Sequence, residues 1–348
     1  MISSDFNQLN RPALKTRTGL TAELIDFDNV WYDAYGRVAI SYRPYVRSAG
    51  KNGTSFVYDP LGRVVSSTAS NGLLTTYSYD GLTASITVNN SAGAQTTSKT
   101  VNSQGWTTST TDAAFKITSF SYDPNGNLLT TTDPKGNVVS MAYDLKGRKT
   151  ALADPDMGLW TYGYDALGQL KKQTNAKLQL STMTYDLLGR MTQRAEPSLI
   201  SNWFYDKYAS NSACAKGIGK LCEVTSNNGF RRVFNYDSLG RNSKTSTYLD
   251  SPTIPYDIDN TYDASGRVDT VTYPAVTIGT TTTRLAIKHN YNVQGYLFKL
   301  TNPTGTFAYW TGTAANANGQ FTAETLGNGL ITTRSYEHHR LCRKEVKE

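Results

Sequence analysis

Residues 143–148 read Tyr143-Asp144-Leu145-Lys146-Gly147-Arg148, and the same frame returns as Tyr185-Asp186-Leu187-Leu188-Gly189-Arg190. Working outward, it recurs as Tyr58-Asp59-Pro60-Leu61-Gly62-Arg63, Tyr236-Asp237-Ser238-Leu239-Gly240-Arg241 and Tyr262-Asp263-Ala264-Ser265-Gly266-Arg267. The earliest copy is Tyr32-Asp33-Ala34-Tyr35-Gly36-Arg37. Tyr122, Tyr143, Tyr164 and Tyr185 are evenly spaced, and Tyr291-Asn292 continues the series. A fixed period of this kind, at the short end of the range ~20–50, is the mark of a repeat architecture. A residue present in every unit builds scaffold, so chemistry is to be sought where the pattern breaks.

The string Asp-x-x-Gly-Arg has the chemistry of a tight hairpin turn. Its aspartate can accept hydrogen bonds from backbone N–H groups just downstream. Its glycine supplies the positive φ that closes a type I turn with a G1 bulge. The flanks alternate like half-buried strands. Phe56, Phe120, Met141, Tyr162, Met183, Trp203 and Phe234 each stand two positions before a repeat tyrosine, and so share its strand face. Second turn signals such as Asn71-Gly72 and Asp133-Pro134-Lys135-Gly136 fall between the Tyr-Asp turns. Each repeat is therefore expected to be one hairpin, and the hairpins to pair edge to edge into a long antiparallel sheet. The fold class is all-β with almost no helix. The expected organisation is a partial N-terminal repeat at 1–28, an array at 29–336 and an irregular tail at 337–348.

The composition fits a β-structure with polar faces rather than a thick core: of 348 residues, 38% are hydrophobic and 18% charged, with 23 tyrosines. The net charge of +7 raises nucleic-acid binding. The arginines follow turn glycines, however, and are expected to pair with an aspartate or carbonyl of a neighbouring repeat, so no nucleic-acid partner is expected. No stretch has the ~20 apolar residues of a membrane span. No signal peptide is evident at Met1-Ile2-Ser3-Ser4.

Cys214 and Cys222 lie in the longest departure from the period, Asp206 to Phe230. A local disulfide and two free buried thiols are both open readings, and a metal site is not expected without nearby histidines. His338-His339 beside Glu337 alternate across a strand and cannot easily share an ion. Asp154 and Asp156 flank Pro155 and read as a turn rather than a catalytic carboxylate pair. No phosphate loop, nucleophile elbow or dinucleotide fingerprint occurs. No enzyme and no cofactor are expected.

These residues resemble the RHS or YD-repeat family, whose members include bacterial polymorphic toxins, cocoon subunits of insecticidal toxin complexes, and teneurins. The cysteine-bearing insertion is similar to a variant of bacterial members. The resemblance implies a β-sheet spiralling into a hollow shell that, in the bacterial toxins, encloses a C-terminal toxic domain and closes with a self-cleaving aspartate motif. No such motif stands near the end here, and Asp133-Pro134-Lys135-Gly136 is a mid-chain turn. Neither the toxin nor the cleavage activity is carried over. The expected role is a structural module partnered by a C-terminal toxin domain or by further repeats, secreted from or on the surface of a bacterium. The alternatives are a surface protein that binds glycans or a partner, and a non-functional remnant of such a gene. The aromatic ladder discriminates: Tyr79, Tyr164 and Tyr185 packed against neighbouring hairpins mean scaffold, whereas an exposed stripe means binding.

Overall fold

The computed structural model describes residues 2–7, 10–91, 93–249, 251, 253–336 and 343–347. All regular structure among them is β-strand. No helix long and apolar enough to cross a membrane is present among the described residues. The chain forms two compact units, one of Ile117–Ile287 and one built from Met1–Lys116 together with Lys288–Glu348.

The Ile117–Ile287 unit is an antiparallel meander in which each strand pairs with its chain neighbours. Val138–Tyr143 lies between Leu128–Thr132 and Lys149–Asp154, and Gly158–Tyr164 follows. The turn chemistry sets the register. The Asp144 N–H donates to Arg148 O and the Gly147 N–H to Asp144 O, both at 2.9 Å. Gly147 takes φ +75°, a left-handed value that a side chain would strain. Tyr143 then faces Lys149 across a one-residue bulge. The same bulge recurs at Tyr122, Tyr164, Tyr185, Tyr236 and Tyr262. A bulge in every repeat increases local twist, so curvature is built in at the repeat period.

Side chains alternate exposed and half-buried along Ile117–Tyr122 and Val138–Tyr143, with Phe120, Met141 and the repeat tyrosines on the covered face. Few residues are fully buried; Met183, at 3% exposure, is one. Stability in such a sheet comes from neighbouring hairpins covering one another, because an isolated hairpin is marginal in water. The apolar turn residues Leu145, Leu167, Leu187 and Leu239 stand in solvent.

In the other unit, Val30–Tyr32 begins the same meander. The segment 1–28, expected as a partial repeat, differs from it. Ile2–Phe6, Pro12–Thr18 and Leu24–Phe27 join Tyr45–Val46 in a separate four-stranded sheet. Its centre is Ile25 and Tyr45, with the Asp26 carboxylate buried and bonded to Thr16 and Arg47. This sheet docks on late repeats of its own unit. The Tyr296 hydroxyl donates to Thr18 O at 3.0 Å, the Asn292 amide to Leu20 O at 2.8 Å, and Arg17 to Ala317 O at 3.0 Å.

Candidate functional site

The recurring residues are consumed by a clamp between hairpins. Within a turn, Asp144 Oδ1 accepts the N–H groups of Lys146 and Arg148, and Oδ2 accepts Arg148 Nε at 2.7 Å. Asp59–Arg63, Asp186–Arg190, Asp237–Arg241 and Asp263–Arg267 repeat that ion pair at 2.7 to 2.8 Å. The arginine thus pairs first with the aspartate of its own turn, because the tight turn folds the two side chains together; Arg190 alone of these also reaches the next repeat's aspartate, Asp206, at 2.7 Å. Its guanidinium still reaches forward. Arg148 lies 4.9 Å from the centre of the Tyr164 ring and donates to Asp165 O at 2.9 Å. Arg63 over Tyr79 and Arg241 over Tyr262 stack in the same way at 4.3 and 4.2 Å.

The tyrosine completes the clamp. Tyr79, Tyr164 and Tyr185 donate their hydroxyls to the carbonyls of Val64, Lys149 and Leu170, each the residue after the turn cation or its substitute. Tyr58, Tyr236, Tyr262 and Tyr336 follow the same rule. Tyr143 departs from it, its hydroxyl turned to Met141 Sδ on its own strand. These rings are half-buried against neighbouring hairpins and read as scaffold. The Arg148 backbone N–H, followed by its side chain, holds the Asp144 carboxyl below the usual carboxylate range despite partial desolvation. In this turn the carboxylate is engaged by the backbone and the guanidinium, and the guanidinium by the carboxylate and the next hairpin.

Other candidates resolve as structure. Asp154 Oδ1 accepts the N–H groups of Asp156 and Met157, which is a turn. Glu337, His338 and His339 lie outside the described residues. Among the described residues no three His, Cys, Asp or Glu side chains are grouped to hold a metal.

The pattern breaks at 205–221. Tyr205 faces Leu221 across the usual bulge, the Asp206 N–H donates to Lys220 O, and Gly219 takes φ +79°. This is still the repeat turn, with 207–218 standing between its aspartate and its glycine where the ordinary turn has only a pair such as Leu145-Lys146. A disulfide joins Cys214 to Cys222 with the Cα atoms 6.2 Å apart. Gly217 lies against it, where any Cβ would collide with both sulfurs. Glu223, 2% exposed, accepts Arg231 Nε at 2.7 Å and the Ala209 N–H at 2.8 Å, fastening the insertion to the sheet. Tyr208 is held by Phe234 O and the Asn235 amide, and burial pushes its phenol upward.

Beside this insertion opens a groove of about 490 Å3, lined among others by Arg190, Asn202, Trp203, Tyr205, Lys207 and Tyr208. Sequence reasoning placed Trp203 and Tyr205 in the ladder and missed the groove. The available signal was Tyr205-Asp206 with its Gly219-Lys220 displaced far downstream.

An RHS repeat family model matches residues 58–95, 101–138, 122–156 and 164–198. No curated protein sequence matches the chain. Among solved structures, TcdB2-TccC3 lacking the hypervariable C-terminal region aligns with a TM-score of 0.79 at 17% identity, over 99% of this chain and 20% of that one. The Photorhabdus luminescens Tc holotoxin pore gives 0.76 at 18% identity, over 97% and 20%. At that identity the likeness shows the fold. The chain spans about a fifth of the length of these structures.

Proposed function

We propose that this RHS-repeat chain is a non-catalytic structural module, a stretch of β-wall in a longer polypeptide that encloses or presents a C-terminal toxin. The supporting observation is the clamp. Aspartate, arginine and tyrosine, the residues best able to do chemistry, are engaged in unit after unit, the aspartate within its own turn and the arginine and tyrosine across to a neighbouring hairpin. A wall so built can be lengthened without a new core, since each unit needs only its neighbours. The fold likeness to toxin-complex structures several times longer agrees with a wall segment. In this reading the polypeptide is secreted from a bacterium or displayed on its surface.

The test starts from the genomic sequence beyond residue 348, read in all frames, and the full polypeptide it encodes. Further Tyr-Asp repeats are expected, followed by a terminal segment that resists protease while the wall is folded. No related coding sequence, or a terminal segment cut as fast as when expressed alone, overturns enclosure.

A further inference from the structure

We propose that the hairpin arm at 273–285 is a self-association surface whose occupant is the same arm of a second copy of this chain. The proposal does not depend on whether the wall encloses a cargo. It starts from a hairpin that outgrows the sheet. Val268–Ile278 and Thr281–Tyr291 are each 11 residues long, whereas Ile117–Tyr122 has 6 and Leu128–Thr132 has 5. Pairing with Tyr256–Tyr262 stops at Thr272, and Pro274 just beyond has no N–H to carry it further. Among the described residues, Thr281–Tyr291 pairs with Leu297–Thr301 only from Lys288 onward. Residues 275–285 are all exposed. In Ile117–Tyr122 and Val138–Tyr143, by contrast, alternate residues are covered. The arm therefore has two bare faces where the array has one.

The arm is anchored at its root. Arg284 donates through Nε to Tyr273 O and through Nη2 to Asp257 O, both at 2.8 Å, and Asp259 neutralises it. Towards the tip, the Thr277 and Thr282 hydroxyls meet at 2.8 Å across the two strands. By strand alternation, Val276, Ile278 and Leu285 lie together on the opposite face, at 57%, 78% and 48% exposure.

The chemistry of the arm selects its occupant. No residue from Thr270 to Thr283 is charged, so neither an acidic nor a basic partner finds a counter-charge. Thr277 and Thr280 to Thr283 crowd the arm with hydroxyls beside open backbone groups, and both are costly in hydrocarbon, which disfavours a lipid surface. Open N–H and C=O groups along a strand are satisfied by another strand edge. Edges left free are normally guarded by lysine or another charge, and Thr281 to Thr283 carry none. An identical arm offers a neutral edge of equal length. Two such edges meet antiparallel about a two-fold axis, each satisfying the other, with aliphatic side chains of both copies side by side. Two arms of this size bury no more than the ~1,200 Å2 at which stable interfaces begin, so the dimer is weak and reversible.

Sedimentation velocity over rising protein concentration tests this. A reversible monomer–dimer equilibrium of micromolar or weaker affinity is expected, with hydrogen exchange at 275–285 slowing as dimer forms. Added salt should strengthen it, because salt screens the repulsion between two chains of net charge +7. Ile278→Lys sets like charges on the two arms and should weaken association at least about tenfold. Ile278 is mostly exposed, so thermal unfolding of that variant should be unchanged. Leu145→Lys, at a fully exposed turn leucine outside the arm, should leave association intact. A monomer at every concentration overturns the proposal. So does a dimer that Ile278→Lys leaves intact or that Leu145→Lys weakens equally, and so does protection of 275–285 by neutral phosphatidylcholine vesicles without dimer.

Discussion

The hairpin at 143–164 and the one at 205–236 use the same turn for different ends. In the first, Asp144, Arg148 and Tyr164 close a clamp made entirely of short-range bonds, and nothing in it is deeply buried. In the second, the whole of 207–218 sits inside the turn. Lys220 stands in for the arginine, 4.7 Å from the Tyr236 ring and bonded to Gly240 O. The onward clamp to Tyr236 survives, while the backward one at Tyr205 is lost. A covalent link and a buried carboxylate take over the work that repetition does elsewhere. A repeat can therefore host a new surface without breaking the wall, provided the guest brings its own fastening.

The largest effect should come from that fastening. Glu223→Ala leaves Arg231 and the Ala209 N–H without their acceptor; because Arg231 is half-exposed, a loss of about 2–3 kcal/mol is expected, below the cost of breaking a fully buried pair. Denaturant unfolding measures it, and a loss under half that size would equalise the two hairpins. Replacing Cys214 and Cys222 together by serine should cost about 2 kcal/mol, the low end for a disulfide because the loop is short. Hydrogen exchange should then show 207–218 opening while 143–164 keeps its protection.

Tyr185→Phe should cost about 1 kcal/mol, one hydrogen bond, whereas Tyr205→Phe should cost nothing measurable. Equal losses would show that Tyr205 is clamped in solution. The smallest effect per residue is that of pH. Asp144 titrates below its unfolded value, held there chiefly by the Arg148 N–H, and Asp206 likewise, chiefly by the Arg190 side chain. A depressed carboxyl contributes its stability in full above the unfolded pKa of ~3.9 and loses it as pH falls through the lower folded value. Unfolding followed between about pH 5 and pH 2 should therefore show a progressive decline. Asp144→Asn should flatten it slightly.

The hairpins were legible because each turn is specified by adjacent residues, Asp144 to Gly147, whose geometry needs no distant partner. The same-face aromatics were legible because strand alternation is local. The arginine was half legible: its reach to the next carbonyl was expected, its pairing with its own aspartate was not. The segment 1–28 carried no period to read, and its sheet depends on Tyr45–Val46 and on contacts 272 to 300 residues away. The groove was invisible for another reason. It is walled in part by Lys207, Tyr208 and Asn211 of the insertion, and where an insertion settles on the sheet is fixed by contacts that no local pattern specifies.

Those distant contacts impose an order in time. Lys116 ends the first part of its unit, and Lys288 resumes it only after the whole of Ile117–Ile287 has intervened. At a synthesis rate of ~5–20 residues per second, the N-terminal sheet leaves the ribosome roughly fifteen to sixty seconds before the repeats it will cover. The Ile117–Ile287 unit, whose partners are all near neighbours, can finish first. Leu20 and Ile25, which line the small cavity against Tyr296 and Phe321, must wait in the open meanwhile. The interval is when a chaperone would be most useful, and a synonymous change that slows translation between 117 and 287 would lengthen it.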